Sequence, residues 1–442
     1  MTPTRRRRRV ATWTAAFVGL VALSSAVLLA TRAEPVDIPA ALERLLDQRS
    51  DGEKAIAVAQ ARLTDAPDDP KALAGLATAY LIRVRETADP SYYAKADGLI
   101  ARAIALAPND ADIVITAGSL ALSRHEFASA LRFGEQATRL APFRPAAYGV
   151  LTDAQVELGR YDEAVVSAQR MVDLHPELAS LSRVSYLREL HGDIPGALDS
   201  MRRALEASAQ RGEASAFVEA QIGNLLFATN DLDGADRAYE SSTHRLEGYV
   251  YGLAGRARVR AARGDLSGAA ALYEDAARRL PVPDVVIALG DVYARLGDRA
   301  RAEQQYALVT AMEQLLAANG VRVDADLALF DLDRGIGNAN ALAAVRAEYA
   351  VRASTPVEII LAWAEYKNGD IAAAQRHAID ALRLGSRDPL VLYRAGVIAD
   401  SAGDSGRAMA LLRESSRMNP QFSVLYASDL AARLERLQAA VQ

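Results

Sequence analysis

Eleven times along this chain a Gly or polar residue opens a short polar stretch, and in all but one instance Ala follows five residues on. The turns begin at positions 52, 91, 125, 159, 192, 230, 264, 297, 335, 369 and 403; five of the ten spacings are 34 residues, two are 33 and the others 38 or 39. The alanines are Ala57, Ala96, Ala130, Ala164, Ala197, Ala235, Ala269, Ala302, Ala374 and Ala408, with Asn340 as the exception. Ala makes up about a fifth of the sequence, so ten matches in eleven lie far beyond chance. A register of this length is the signature of stacked two-element units that bury their apolar faces only against neighbours. The 442 residues, too many for one ordinary core, therefore read as one extended array.

The units are helical. Half the residues are apolar but only 6% are aromatic, a composition suited to close helix packing and poor in strand formers. Each unit predicts two antiparallel helices with apolar residues three and four apart, joined by the recurring turn. Gly suits the turn because a helix that ends in a left-handed residue disfavours a side chain there. The Asp that follows, at Asp193, Asp231, Asp265, Asp298, Asp370 and Asp404, is placed to cap the second helix with its carboxylate. The Ala lets the two helices approach closely. Seven residues before the turn a second small residue recurs as Gly118, Ser185, Gly223, Ala257, Gly290, Ala328, Ala362 and Gly396. The second helix is expected to stop near Pro108, Pro142, Pro176, Pro281 and Pro420, because Pro removes an amide and clashes with the preceding turn.

This unit resembles the tetratricopeptide repeat. The residues that carry the resemblance are Leu76-Ala77 with Tyr80, Leu289-Gly290 with Tyr293, Gly297 and Ala302, and Gly264, Ala269, Tyr273, Ala276 and Pro281. The resemblance covers residues 40–420 and implies an all-α, right-handed solenoid of about 10–11 helix pairs. Units that turn at Ser91, or that end in Glu206–Ala214 and Gln314–Val323, carry extra residues and read as local departures. Residues 421–442, with Leu430, Leu434 and Leu437 on one face, predict a helix that caps the last pair.

The amino terminus reads as an address. Arg5–Arg9 are five consecutive cations in a tail over residues 1–9, and residues 10–30 carry no charge. As a helix, 21 residues at ~1.5 Å each match the roughly 30 Å hydrocarbon core. The Arg cluster then stays cytoplasmic and the body lies outside the cytoplasmic membrane. A signal peptide cleaved near Thr31-Arg32-Ala33 is the alternative, and it too exports the body, as a secreted or periplasmic protein. Residues 31–39 form a short spacer in either case.

Residues 1–33 hold six of the 51 basic residues and no acid, leaving the rest with 45 bases against 56 acids. A body with a net charge of −11 lacks the cations that nucleic-acid binding draws on. The absence of Cys removes disulfides, thiolate metal sites and cysteine nucleophiles. No two of His125, His175, His191, His244 and His377 share the three- or four-residue spacing of a metal pair, and no nucleophile elbow or phosphate loop occurs. No catalytic, cofactor or metal site is expected.

The expected function is partner binding. The resemblance implies that the first helices of successive units line a concave surface for extended or helical peptides, and that such arrays, when anchored, serve envelope assembly. The inward residues then include Arg183, Tyr186, Phe217, Gln221, Asn224, Phe227, Tyr251, Arg258, Asp291, Arg295, Trp363, Tyr366, Lys367, Tyr393 and Arg394. Rings with Arg and Asn supply flat apolar area and donors for backbone carbonyls. A rigid spacer or oligomerisation platform of a membrane complex is the alternative, an enzyme with an unrecognised site a lesser one, and the pattern leaves oligomeric state and partner identity open.

Overall fold

A computed structural model describes residues 50–440 apart from 322–324, so the expectations for 1–9, 10–30 and 31–39 and for the start of the first unit fall outside the described residues. Among the described residues α1 (Asp51–Asp65) comes first and ten helix pairs follow. They are α2 (Pro70–Thr87) with α3 (Ser91–Leu106), α4 (Ala111–Ser123) with α5 (Phe127–Leu140), α6 (Pro145–Glu157) with α7 (Tyr161–Leu174), and α8 (Leu178–Leu190) with α9 (Ile194–Glu206). Next are α10 (Glu213–Ala228) with α11 (Leu232–Arg245), α12 (Val250–Ala262) with α13 (Leu266–Arg279), and α14 (Pro283–Arg295) with α15 (Arg299–Ala318). Then come α16 (Ala325–Arg334) with α17 (Asn338–Tyr349), α18 (Thr355–Lys367) with α19 (Ile371–Ala381), and α20 (Pro389–Ser401) with α21 (Ser405–Met418), and α22 (Ala427–Ala439) closes the array. No strand occurs among the described residues.

The turn chemistry is as expected from Gly159 onward. Gly159, Gly192, Gly264, Gly297, Gly335, Gly369 and Gly403 all have positive φ, and Asn230 and His125 take the same conformation at φ 63° and 60°. Each of the six Asp carboxylates accepts the amide three residues on, at 2.8–3.1 Å. A cap of this kind is worth about 1 kcal/mol and sets where each second helix begins. Ala is the fourth residue of nine second helices and is buried in all of them. That includes the unit at Gly335: the connection Gly335-Ile336-Gly337 is one residue longer, so Ala341 takes the place that counting assigns to Asn340. Small residues seven before the turn leave room for a side chain of the partner helix, and a Cβ on Gly223 or Gly290 would stand 2.5 or 2.4 Å from the Tyr239 or Tyr306 ring.

The register fails at the first two turns. Gly52 and Ser91 lie within α1 and α3, and the left-handed residue before α3 is Ala88, at φ 54°. Gly52 is small because α2 presses on it: its amide donates to Glu86 Oε1 at 3.0 Å, and an added Cβ would lie 2.6 Å from Arg83 Cδ.

Apolar clusters follow the chain locally, as in Leu73, Ile100 and Ile113 from α2, α3 and α4, or Val250, Tyr273 and Tyr293 from α12, α13 and α14. Others reach further: Ile194, Ala197 and Leu225 pack with Leu392 and Met418, and Leu384 packs against Val156, Tyr161 and Leu187. The array turns back so that its later part rests on its earlier part. Thr355 N donates to Tyr161 Oη at 2.7 Å, 194 residues away. Arg352 Nε donates to Glu157 Oε2 at 2.7 Å across 195 residues, and the buried Asn419 Nδ2 donates to Phe227 O at 2.7 Å across 192. The offset of 192–195 residues is between five and six units of 34, the length of one full turn of the superhelical path. In every case a loop between pairs in the second coil sits on a turn or helix end in the first. With no Cys, neighbour-to-neighbour packing is the only support the sequence suggests; contacts between coils provide a second.

Candidate partner-binding groove

One row of first-helix residues shows how the concave face changes along the array. Six residues before the turn stand Tyr186, Asn224, Arg258, Asp291 and Trp363. Tyr186 is 41% exposed, Asp291 9% and Trp363 3%. The face is open over α8 and α10 and closed by the time the path reaches α18.

At the open end Arg183 is held by Asp153 through two bonds of 2.8 and 2.6 Å, which fixes one wall. Beside it, Ser182, Tyr186, Glu189, Met201, Phe217, Gln221 and Leu225 enclose a cavity of about 140 Å³. Phe217, 39% exposed, lines the same cavity as Tyr186. Burial pushes the Tyr186 hydroxyl above its usual pKa, as expected for a ring that is wetted yet surrounded by a concave wall. Glu189 was not picked out from the sequence. Burial raises its carboxyl to about 7, and the Asp388 carboxylate of the second coil pushes the same way. The signal that could have found it is its place at the end of the α8 row; what hides it is that its environment includes a residue 199 positions later.

In the middle the groove is braced by its own side chains. Arg258 Nη2 donates to Asn224 Oδ1 at 2.6 Å and also bonds the Tyr239 hydroxyl, with the guanidinium 4.3 Å from the Phe227 ring centre. Asn224 Nδ2 donates to Gln221 Oε1 at 3.2 Å. Asn224, expected to meet ligand backbone, is thus committed to Tyr239 and Arg258. Phe227 is a correction: it is buried beneath Arg258 because three residues after Asn224 a helix turns its side chain into the pair. Tyr251 and Arg295 are exposed. Asp291 is also a correction, since it is buried against Arg334 and the Tyr306 hydroxyl at 2.9 Å, and desolvation pushes its carboxyl up to about 6.

At the closed end the chain's own carboxy-terminal segment covers the groove. Tyr426 bonds Asp333, which also accepts from Trp363 Nε1 at 2.9 Å and lies 3.7 Å from Arg394. Tyr426 packs on the Trp363 and Tyr393 rings, and Phe422 packs on Tyr393. Tyr393 donates to Asp429 Oδ2 at 2.6 Å, and Leu430 and Leu437 of α22 are buried in the same cluster. Trp363, Tyr393 and Arg394 are therefore core residues, while Tyr366 and Lys367 stay half-buried beside Trp363. They hold the phase expected of groove residues, but the segment at 421–442 that reads as an end cap extends across the concave side as well.

No group of three or more His, Asp or Glu suited to a metal occurs among the described residues. His125 occupies the turn before α5, and His377 Nδ1 lies 2.6 Å from Glu365 Oε2. No helix of the described residues is long and apolar enough to cross a membrane, and residues 10–30 are not among them.

No family model matches this chain, and no curated protein matches it. Among solved structures, the crystal structure of the MamA protein is similar at 16% identity over 38% of this chain and 91% of that one, with a TM-score of 0.31. A second crystal structure of MamA matches at 16% identity over 38% of this chain and 97% of its own, also at 0.31. The crystal structure of the APC/C hetero-tetramer Cut9-Hcn1 matches at 16% identity over 90% of this chain and 94% of that one, at 0.32. Superposition at this level carries no function from those proteins to this one.

Proposed function

We propose that this chain is a non-enzymatic protein-interaction scaffold that holds a peptide or protein segment on the concave face of α8, α10 and α12, outside the cytoplasmic membrane. The observation that carries the reading is the pair of half-exposed rings, Tyr186 and Phe217, flanking a cavity that no segment among the described residues fills. Rings in a concave wall are the anchors that interfaces bury. Residues 10–30, uncharged and preceded by five Arg, support export of the body as an anchored or cleaved protein. A photo-crosslinking residue at Phe217 should give a partner adduct in native cells, whereas one at the exposed convex residue Val166 should not; equal labelling would refute groove binding. Protease added outside spheroplasts should remove a tag fused after Gln442, and protection of the tag would refute export.

A rigid spacer is the second reading, favoured by the contacts between coils, which stiffen the path. It predicts that Phe217→Ala leaves every partner interaction intact.

A further inference from the structure

We propose that the cavity between α8 and α10 is a subsite for a lysine or arginine side chain of an extended peptide, with the Glu189 carboxylate as its counter-charge. The inference deepens the scaffold reading and rests on it. Three observations converge. First, the cavity's size suits a side chain: about 140 Å³ is roughly ten times what one water needs in the same measure. Second, its lining is apolar on the flanks, through Phe217, Met201 and Leu225, and acidic at Glu189, which matches the long alkyl stem and charged tip of a basic residue. Third, Glu189 is only partly exposed and, among the described residues, no hydrogen bond or ion pair holds its carboxylate.

The electrostatics favour a cation from outside. Elsewhere on the concave face the array supplies its own counter-ions: Arg183 to Asp153, Arg334 to Asp291, Arg394 to Asp333. Around Glu189 the charge that acts on it is a second carboxylate, Asp388, brought in by the other coil. The carboxyl group is desolvated in the free protein already, so an arriving ammonium or guanidinium need not strip it of water; the cation takes the place of the proton that burial makes the group retain. Beyond the site the body's net charge of −11 draws a cationic partner toward the surface. An extended peptide, as opposed to a lone amine, follows from the neighbours. Gln221 Nε2 has no partner among the described residues and can donate to a peptide carbonyl, and Tyr251, 34 residues after Phe217, repeats an exposed ring one unit along.

The test is a positional library of extended hexapeptides, each member with one fixed residue, selected on the full chain in mild detergent. Peptides with Lys or Arg next to Leu or Phe should be enriched by about tenfold over those with Met in the basic position. Glu189→Gln, whose folding is checked by its helical circular dichroism, should abolish the basic preference and leave the apolar preference in place; Phe217→Ala should weaken both. A library selected for apolar residues with no basic preference, or a basic preference unchanged by Glu189→Gln, overturns this subsite and leaves the groove standing. Selection of no peptide by the parent chain overturns the subsite and the groove reading together.

Discussion

The repeats from α6 to α11 and those from α16 to α21 are written in one sequence pattern and use their surfaces in opposite ways. In the first block the turns are covered and the groove is open. A Cβ on Gly159 would stand 2.4 Å from Ala353 O, and one on Gly192 2.3 Å from Gly385 O, because the second coil lies on both. Tyr186 and Phe217 meanwhile face solvent. In the last block the turns are free and the groove is filled: nothing lies within 4 Å of the Cβ positions of Gly335, Gly369 and Gly403, while Tyr426 and Phe422 lie on Trp363 and Tyr393. A repeat pattern encodes how two helices pair and how a pair meets the next. Which face is then occupied depends on where the path returns and where the chain ends, neither of which any single unit contains.

The largest expected effect tests the covered turns. At both Gly159 and Gly369 φ is positive, so Ala at either carries a backbone strain of about 1–2 kcal/mol. At Gly159 the second coil must also move, which adds about 1–3 kcal/mol. Gly159→Ala should therefore lower stability by about 2 kcal/mol more than Gly369→Ala. It should also expose the Thr355 amide, which donates to Tyr161, to fast hydrogen exchange. Equal losses, with Thr355 still protected, would show that the coils do not support one another.

The filled groove comes next. Tyr426→Ala removes a ring from the Trp363 and Tyr393 stack and a donor from Asp333, for a loss of about 3 kcal/mol. Trp363 and Trp13 are the two tryptophans, so the emission of residues 51–442 reports on Trp363 alone and should shift to the red. Unchanged emission would mean that the carboxy-terminal segment does not shield the groove. A somewhat smaller loss, about 2 kcal/mol by urea denaturation, is expected for Asn419→Ala, which removes two hydrogen bonds at the contact between coils: the one to Phe227 O, which keeps only the Asn230 amide, and the one from the Gln421 amide. A neutral result there would leave apolar packing by Leu392 and Met418 as the only bond between coils at that point.

Pair architecture was legible in the sequence because its determinants are local. A left-handed turn, an Asp cap and a buried Ala all act within six residues, and the structure uses nearly all of them as read. The failures share one cause. Asn340 breaks the count because one extra residue enters the turn, and Gly52 is small on account of α2 instead of a turn of its own. Trp363, Tyr393 and Arg394 have the phase of groove residues, but their burial is decided by a segment some thirty to sixty residues downstream. Glu189 went unseen because the carboxylate that perturbs it arrives from 199 residues away.

The smallest effect separates the two grooves by sign. The Glu189 carboxyl is raised to about 7 in the folded chain, against about 4.3 unfolded, so the folded state holds the proton more tightly. Its contribution is full below the unfolded value and is lost as pH rises through about 7. Glu189→Gln removes that loss, and after solvent screening the variant should be more stable than its parent by about 1 kcal/mol at pH 8 and indistinguishable at pH 4. Asp333→Asn in the filled groove should destabilise instead, since its carboxylate already serves Trp363, Tyr426 and Arg394 and its loss leaves a buried guanidinium short of charge. Melting curves at both pH values check the pair. If both substitutions destabilise, Glu189 has an internal partner and the open groove is as self-satisfied as the closed one; opposite signs mean that the open groove holds a charge awaiting a ligand.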